Sequence, residues 1–130
     1  MNTEQTVAFS EARMLEFLES ASDEDLDKLD FGVIGIDAGT NVKRYNRFES
    51  VAAGLSKDRV IGYALFTVVA PCMNNFMVAQ RFEDAQEQGS ALDDTIDYVL
   101  TLRMRPVKVK LRLLAAPDRA LRYVLVQRQT

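Results

Sequence analysis

Tyr45, Glu49 and Cys72 are the side chains of this 130-residue sequence whose types and spacing could do chemistry. Cys72 is the only cysteine, and histidine is absent. Within one chain, that excludes Ser–His and Cys–His catalysis, His-based metal sites and an internal disulfide. A thiol can still carry an acyl group as a thioester, given a thiolate to form it and a dry pocket to protect it. No Lys, Arg or His adjoins Cys72 in Val69-Ala-Pro-Cys-Met-Asn-Asn75, so a pre-activated acyl donor suits this sulfur better than self-activation. Pro71 fixes φ just before the thiol and removes a backbone donor, which restrains where the sulfur points. Taken alone, Ala70-Pro-Cys72 reads first as a small buried core thiol.

Tyr45 and Glu49 widen that reading. If a helix begins at Asn46, a spacing of four puts a phenol and a carboxyl group on one face, where both can converge on a single oxygen. Burial in an apolar pocket raises a carboxyl pKa, and a neighbouring phenolate raises it further. Glu49 is then expected to be protonated and to donate. Hydrogen bonds to an ionised acceptor are short and strong. A newly ionised buried carboxylate costs several kcal/mol unless it is rehydrated. Taken singly, Glu49 reads as a helix-surface acid paired with Arg47 or Lys43, and Tyr45 as a strand-end aromatic with its hydroxyl in water.

The elements that must position these groups are legible in outline. Ser10 is placed to cap a helix with the apolar stripe Met14, Leu15, Phe17 and Leu18. Ser22 with Asp25 resembles a capping box. Phe31–Asp37 and Val42–Tyr45, joined by Ala38-Gly-Thr-Asn41, form a hairpin. Short helical pieces are expected from Asn46 to Leu55 and from Lys57 to about Val69. A longer helix runs from Met77 to Gln88, ended by Gly89. Three strands close the chain, at Thr95–Met104, Val107–Leu114 and Leu121–Arg128. This order implies an α+β fold with a single antiparallel five-stranded sheet flanked by helices. It is expected to be one domain over 1–130, with an N-terminal helical cap over 1–29 on a core over 30–130.

Composition sets the remaining bounds. The chain is 48% hydrophobic and 27% charged, as ordinary globular domains are. A lone thiol and the absence of a signal-like start point to the cytoplasm, and the run Val60–Gln80, broken by Gly62 and Pro71, does not read as a membrane span. Residues 1–102 carry 18 acids and 8 bases, and residues 103–130 carry 1 acid and 8 bases, so charges of −10 and +7 sum to −3. The bases of Val107-Lys-Val-Lys-Leu-Arg-Leu113 alternate with apolar residues and so line one strand face. Compensation by the acidic segment Ser22–Asp30 is expected there rather than nucleic acid.

The element order is that of PAS domains, and the residues resemble one family among them. Val7-Ala-Phe, Leu29-Asp-Phe-Gly-Val-Ile-Gly-Ile-Asp37, Arg44-Tyr-Asn-Arg-Phe-Glu-Ser50, Val60-Ile-Gly, Val69-Ala-Pro-Cys72, Arg81-Phe, Asp97-Tyr and Met104-Arg-Pro-Val-Lys-Val-Lys110 are similar to the photoactive yellow protein family of bacterial blue-light receptors. The resemblance implies p-coumaric acid held as a thioester on Cys72, with Tyr45 and Glu49 hydrogen-bonded to its phenolate oxygen. Met104 is implied against the chromophore, aiding its return to the dark isomer, in a pocket of Ile34, Phe66, Val69, Ala70, Pro71, Leu55 and Leu100. Light would isomerise the double bond, Glu49 would give up its proton, and the cap would loosen. Leu55 stands where well-known members have an arginine, Ala53 where they have a threonine, and Leu100 and Leu102 at positions usually aromatic. Those departures motivate the alternative of a PAS module that binds a non-covalent small ligand, or dimerises. No acid–base pair, phosphate loop or metal spacing points to an enzyme. The expected partners are the chromophore and a downstream signalling protein, with neither nucleic acid nor membrane, in a monomer or weak homodimer.

Overall fold

The computed structural model describes residues 7–101 and 106–128. At its centre is a five-stranded antiparallel sheet in the order β2-β1-β5-β4-β3. The strands are β1 Gly32–Ile36, β2 Val42–Tyr45, β3 Leu92–Leu100, β4 Val107–Ala115 and β5 Arg122–Arg128. Every residue of β1 is buried, which is what a central strand covered on both faces requires. The expected hairpin forms, with Ile34 opposite Tyr45 and Ile36 opposite Val42.

The period-two alternation sorts the side chains into two cores. Ile34, Ile36, Val42, Tyr45, Val109, Leu111, Leu113, Val124 and Val126 face Leu65, Phe66, Val78 and Phe82. On that side lie helix α3 (Arg47–Ala53), the short turns Lys57–Arg59, Leu65–Val69 and Pro71–Met73, and helix α4 (Ala79–Gln88). The opposite face, with Val33, Leu114, Tyr123 and Leu125, is covered by Phe9, Met14, Leu18, Leu26, Leu29 and Phe31. This second cover is the N-terminal cap, built from α1 (Met14–Ser20) and α2 (Asp23–Leu26).

Two arginines on the sheet face beneath the cap clasp it through backbone carbonyls. Arg112, 5% exposed, donates to Phe9 O and Glu11 O at 2.8 Å and forms a two-bond pair with Asp93. Arg44 donates to Leu18 O at 2.8 Å and Ala21 O at 2.6 Å, while its Nε reaches Asp23. The planar guanidinium suits this work, since it presents several donors in a fixed fork.

Several local expectations shift. Ser22 and Asp25 do form a reciprocal capping box, but α1 begins after Arg13 with no side-chain cap, and Ser10 lies in a turn before it. Helix α4 starts at Ala79 rather than Met77, because Asn75 Oδ1 accepts from the Met77 and Val78 N–H groups and holds them in a turn. Strand β3 starts earlier than Thr95, with Leu92 opposite Ala115. Asp93 and Asp94 read as strand breakers, yet Arg112 and Arg81 take their carboxylates. The basic face of β4 is compensated by this neighbouring strand, with Lys110 on Asp97 at 2.7 Å, and not by the acidic segment 22–30. Asp23 of that segment pairs with Arg44 and Lys57 instead.

Candidate functional site

Helix α3 delivers Glu49 to the core. Asn46 is its N-cap, its side chain accepting from Glu49 N, and the helix ends at Gly54, whose φ of 72° is the left-handed conformation glycine adopts without a Cβ penalty. The inward stripe of α3 is Glu49 and Ala53, four residues apart and therefore stacked on one face. Tyr45 is not on this helix. It is the last residue of β2, so the expected helical i, i+4 relation to Glu49 does not exist. Both side chains are nonetheless buried, Tyr45 at 3% and Glu49 at 1% exposure, because the strand pleat and the first helical turn both face the same core.

Asn46 is more than the helix start that its place in the sequence suggests. Its buried side chain accepts from Val33 N at 2.9 Å and Glu49 N at 3.1 Å, and donates to Leu26 O at 2.8 Å and Phe31 O at 3.0 Å. One amide thus joins α3, β1 and the C-terminal end of the cap.

Glu49 meets a partner that the sequence did not suggest. Arg128, at the end of β5, forms a two-bond pair with it, Nη1–Oε1 at 2.8 Å and Nη2–Oε2 at 3.1 Å. This is the fork-to-carboxylate geometry of a charge-assisted pair. Burial raises the Glu49 carboxyl above its ordinary value, and the hydrogen bonds and charge of Arg128 offset only part of that rise. Burial also raises the Tyr45 phenol, with Glu49 adding to the rise and Arg128 opposing it. Glycine at position 32 makes room for the pair: a Cβ there would stand 3.0 Å from Glu49 Cδ, 3.1 Å from its Cβ and inside contact with Oε1. Gly32→Ala therefore forces α3 off the sheet or Glu49 out of its seat. The expected loss is about 1–3 kcal/mol, the range for overpacking, read from the urea midpoint. An unchanged midpoint would show that the helix yields freely.

Cys72 is half-buried in the turn Pro71–Met73. It lines a cavity of about 720 Å³ with Ala53, Gly54, Leu55, Val68, Val69, Pro71 and Thr101. Among the described residues, no charged side chain is in that lining. The backbone of Cys72 is moored by residues not anticipated in this role: Tyr98 Oη donates to its carbonyl at 2.5 Å, and Asn75 Nδ2 reaches the same carbonyl at 3.3 Å and the tyrosine oxygen at 2.6 Å. The turn before it, Leu65–Val69, is wound with π-helical spacing, a local irregularity that recurs at functional sites.

Of the predicted pocket residues, the cavity brings together Cys72, Pro71, Val69 and Leu55. Ile34, Tyr45, Phe66, Ala70 and Leu100 belong to the adjoining core, against which Leu55, Val69 and Cys72 also pack. Ala53 lines the cavity one turn beyond Glu49 on the same helix face, so α3 leads from the sulfur's cavity to the buried carboxylate. Met104 and Leu102 lie outside the described residues.

No family model matches the chain, but individual proteins do. It is 36% identical over 96 residues to the photoactive yellow protein of Halochromatium salexigens, covering 74% of this chain and 76% of that protein. The chain belongs to the photoactive yellow protein family. The structure agrees: the photoactive yellow protein domain of the sensor histidine kinase Ppr from Rhodospirillum centenum superposes with a TM-score of 0.79 at 34% identity, over 86% of this chain and 97% of that one. The PAS domain of the RpfR quorum-sensing receptor from Cronobacter turicensis, 18% identical with a TM-score of 0.60 over 78% of this chain and 95% of its own, shares the fold. The photoactive yellow protein fold of this chain is thus a PAS sheet with an N-terminal helical cap. Within it, the buried Glu49 carboxyl is paired with the guanidinium of Arg128.

Proposed function

We propose that this chain is a blue-light sensor domain that carries p-coumaric acid as a thioester on Cys72. The observation that supports the reading most is the cavity, uncharged among the described residues, that joins Cys72 to Ala53, one helical turn from Glu49. Cys72 Sγ would hold the acyl group, and Leu55, Val69 and Pro71 would exclude water around it. Tyr98 and Asn75, by fixing the Cys72 carbonyl, set the direction of the sulfur. Tyr45 and Glu49 would face the phenolic oxygen at the inner end. When bound, p-coumaric acid supplies a double bond that light isomerises and an oxygen that binds or releases a proton.

Loss of that oxygen from its place changes the charge balance at Glu49, in a core where an uncompensated charge is costly. Asn46 binds the same helix turn to Leu26 O and Phe31 O, so strain in α3 reaches the end of the cap directly. Release of the cap would free the face held by Arg44 and Arg112, and a partner protein would read that face. The domain then signals without catalysing a reaction.

The test is exposure of the purified chain to p-coumaroyl anhydride. The expected result is one added acyl group by intact mass and an absorption band that bleaches and recovers under blue light. A chain that takes up no acyl group, or whose band is indifferent to light, would overturn the proposal.

A further inference from the structure

We propose that the cleft around Arg122, between α4 and the β1–β2 turn, is a second ligand site that takes an amino acid with an apolar side chain. The cleft shares no described lining residue with the cavity at Cys72, so the inference stands apart from the photoreceptor reading. Its volume is about 690 Å³, within the span of small-molecule sites, roughly 300–1,000 Å³.

Strand register sets Arg122 there. It is the first residue of β5, opposite Ile36 of β1. Alternation puts it on the same face as Val124 and Val126, which Phe66 and Phe82 cover, and both rings line the cleft with it. Nη1 of Arg122 is shut off from solvent and has no hydrogen-bond partner among the described residues. The other partly or wholly buried arginines among those residues each hold a carboxylate. Arg44 has Asp23, Arg81 has Asp94, Arg112 has Asp93, Arg119 has Glu19 and Arg128 has Glu49. Arg122 has none. A guanidinium with an idle donor, lining a cleft, is set for a carboxylate brought from outside, which it can hold with two bonds.

The rest of the lining decides what else that ligand carries. Glu83 and Glu87 line the cleft from α4, and a spacing of four stacks their carboxylates on one face, where like charges repel. Both are exposed, so they stand at the rim while Arg122 and the rings lie deeper. A simple carboxylate would bring a third anion to one cation. A ligand that also carries an ammonium group gives the rim acids a counter-charge and leaves the net charge of the cleft unchanged. An α-amino acid bears both groups on one carbon. Its carboxylate goes to Arg122, its ammonium toward Glu83 and Glu87, and its side chain against Phe66, Phe82 and Phe76. Phe76 is 79% exposed at the mouth of the cleft, and a bound apolar side chain would shield that ring.

The test is a titration of the isotope-labelled chain with L-phenylalanine at neutral pH, followed through amide chemical shifts. Saturable shifts are expected in segments 74–76 and 79–87, and equally in Cys72→Ser. Hydrocinnamate, which lacks the ammonium, and phenethylamine, which lacks the carboxylate, are expected to bind about 10- to 100-fold more weakly, as for the loss of a hydrogen bond to a charged group. Arg122→Gln is expected to weaken phenylalanine by a similar factor. So is Glu83→Gln with Glu87→Gln, whose exposed positions leave the fold undisturbed. The double variant and the two analogues decide the matter even where Arg122→Gln lowers stability. No saturable shift, shifts centred elsewhere, equal binding of hydrocinnamate, or undiminished binding in the double variant overturns the inference. A chain that binds phenylalanine here but takes up no p-coumaroyl group supports the inference and overturns the photoreceptor reading.

Discussion

Cys72→Ser, treated with p-coumaroyl anhydride alongside the wild-type chain, gains no stable mass and no visible band. The reason is chemical and local. Cys72 is the only thiol of the chain, and a serine hydroxyl at neutral pH is a far weaker nucleophile without a base to activate it. Among the described residues none lines the cavity, whose wall is Ala53, Gly54, Leu55, Val68, Val69, Pro71 and Thr101 besides the cysteine itself. The substitution leaves the fold intact, since the turn is moored through the Cys72 carbonyl by Tyr98 and Asn75 rather than through the sulfur. The urea midpoint is expected to move by no more than about 0.5 kcal/mol, as for substitutions that disturb no packed or paired group. Intact mass spectrometry reads the first outcome and chemical denaturation the second. Acylation of the serine chain to the same extent would mean that modification is indiscriminate and that Cys72 has no special place.

Asn46→Ala is the substitution with the largest expected effect on stability. It leaves the Val33 and Glu49 N–H groups and the Leu26 and Phe31 carbonyls without their partner, at a position 1% exposed where water cannot easily substitute. Loss of the helix cap alone costs about 1 kcal/mol, and each buried group left unsatisfied about 1–3 kcal/mol. Partial relaxation brings the expected total to about 3–4 kcal/mol, a large part of the roughly 5–15 kcal/mol that holds a domain folded. The loss is also expected to be uneven. Amide hydrogen exchange should quicken most in the segment 26–31 and in the first turn of α3, which the amide joins, and least in β4 and β5. Uniform acceleration across the sheet would show instead that Asn46 acts only through global stability.

The sequence by itself determined the architecture, because the signals for it are local. Period-two alternation in β4 and β5, the Ser22–Asp25 box and the Gly89 stop each depend on neighbours within a turn or a strand. The start of β3 at Leu92 rather than Thr95 is not local in this way, because the arginines that donate to the Asp93 and Asp94 carboxylates lie elsewhere in the chain. Val69 and Pro71 flank Cys72 in sequence, and the turn keeps them beside it in the cavity wall.

Only the tertiary structure decided what Glu49 touches. Its partner is 79 residues away, and no periodicity singles out Arg128 among the 16 Lys and Arg residues of the chain. The same holds for Arg112, which reaches a carbonyl 103 residues before it. Sheet order brings β5 beside β1 and the cap onto β4, and that order is a property of the whole packed core rather than of any segment. A buried charge takes its protonation state from the groups the fold sets around it, so the chemistry of this carboxylate becomes legible only once the last strand is in place.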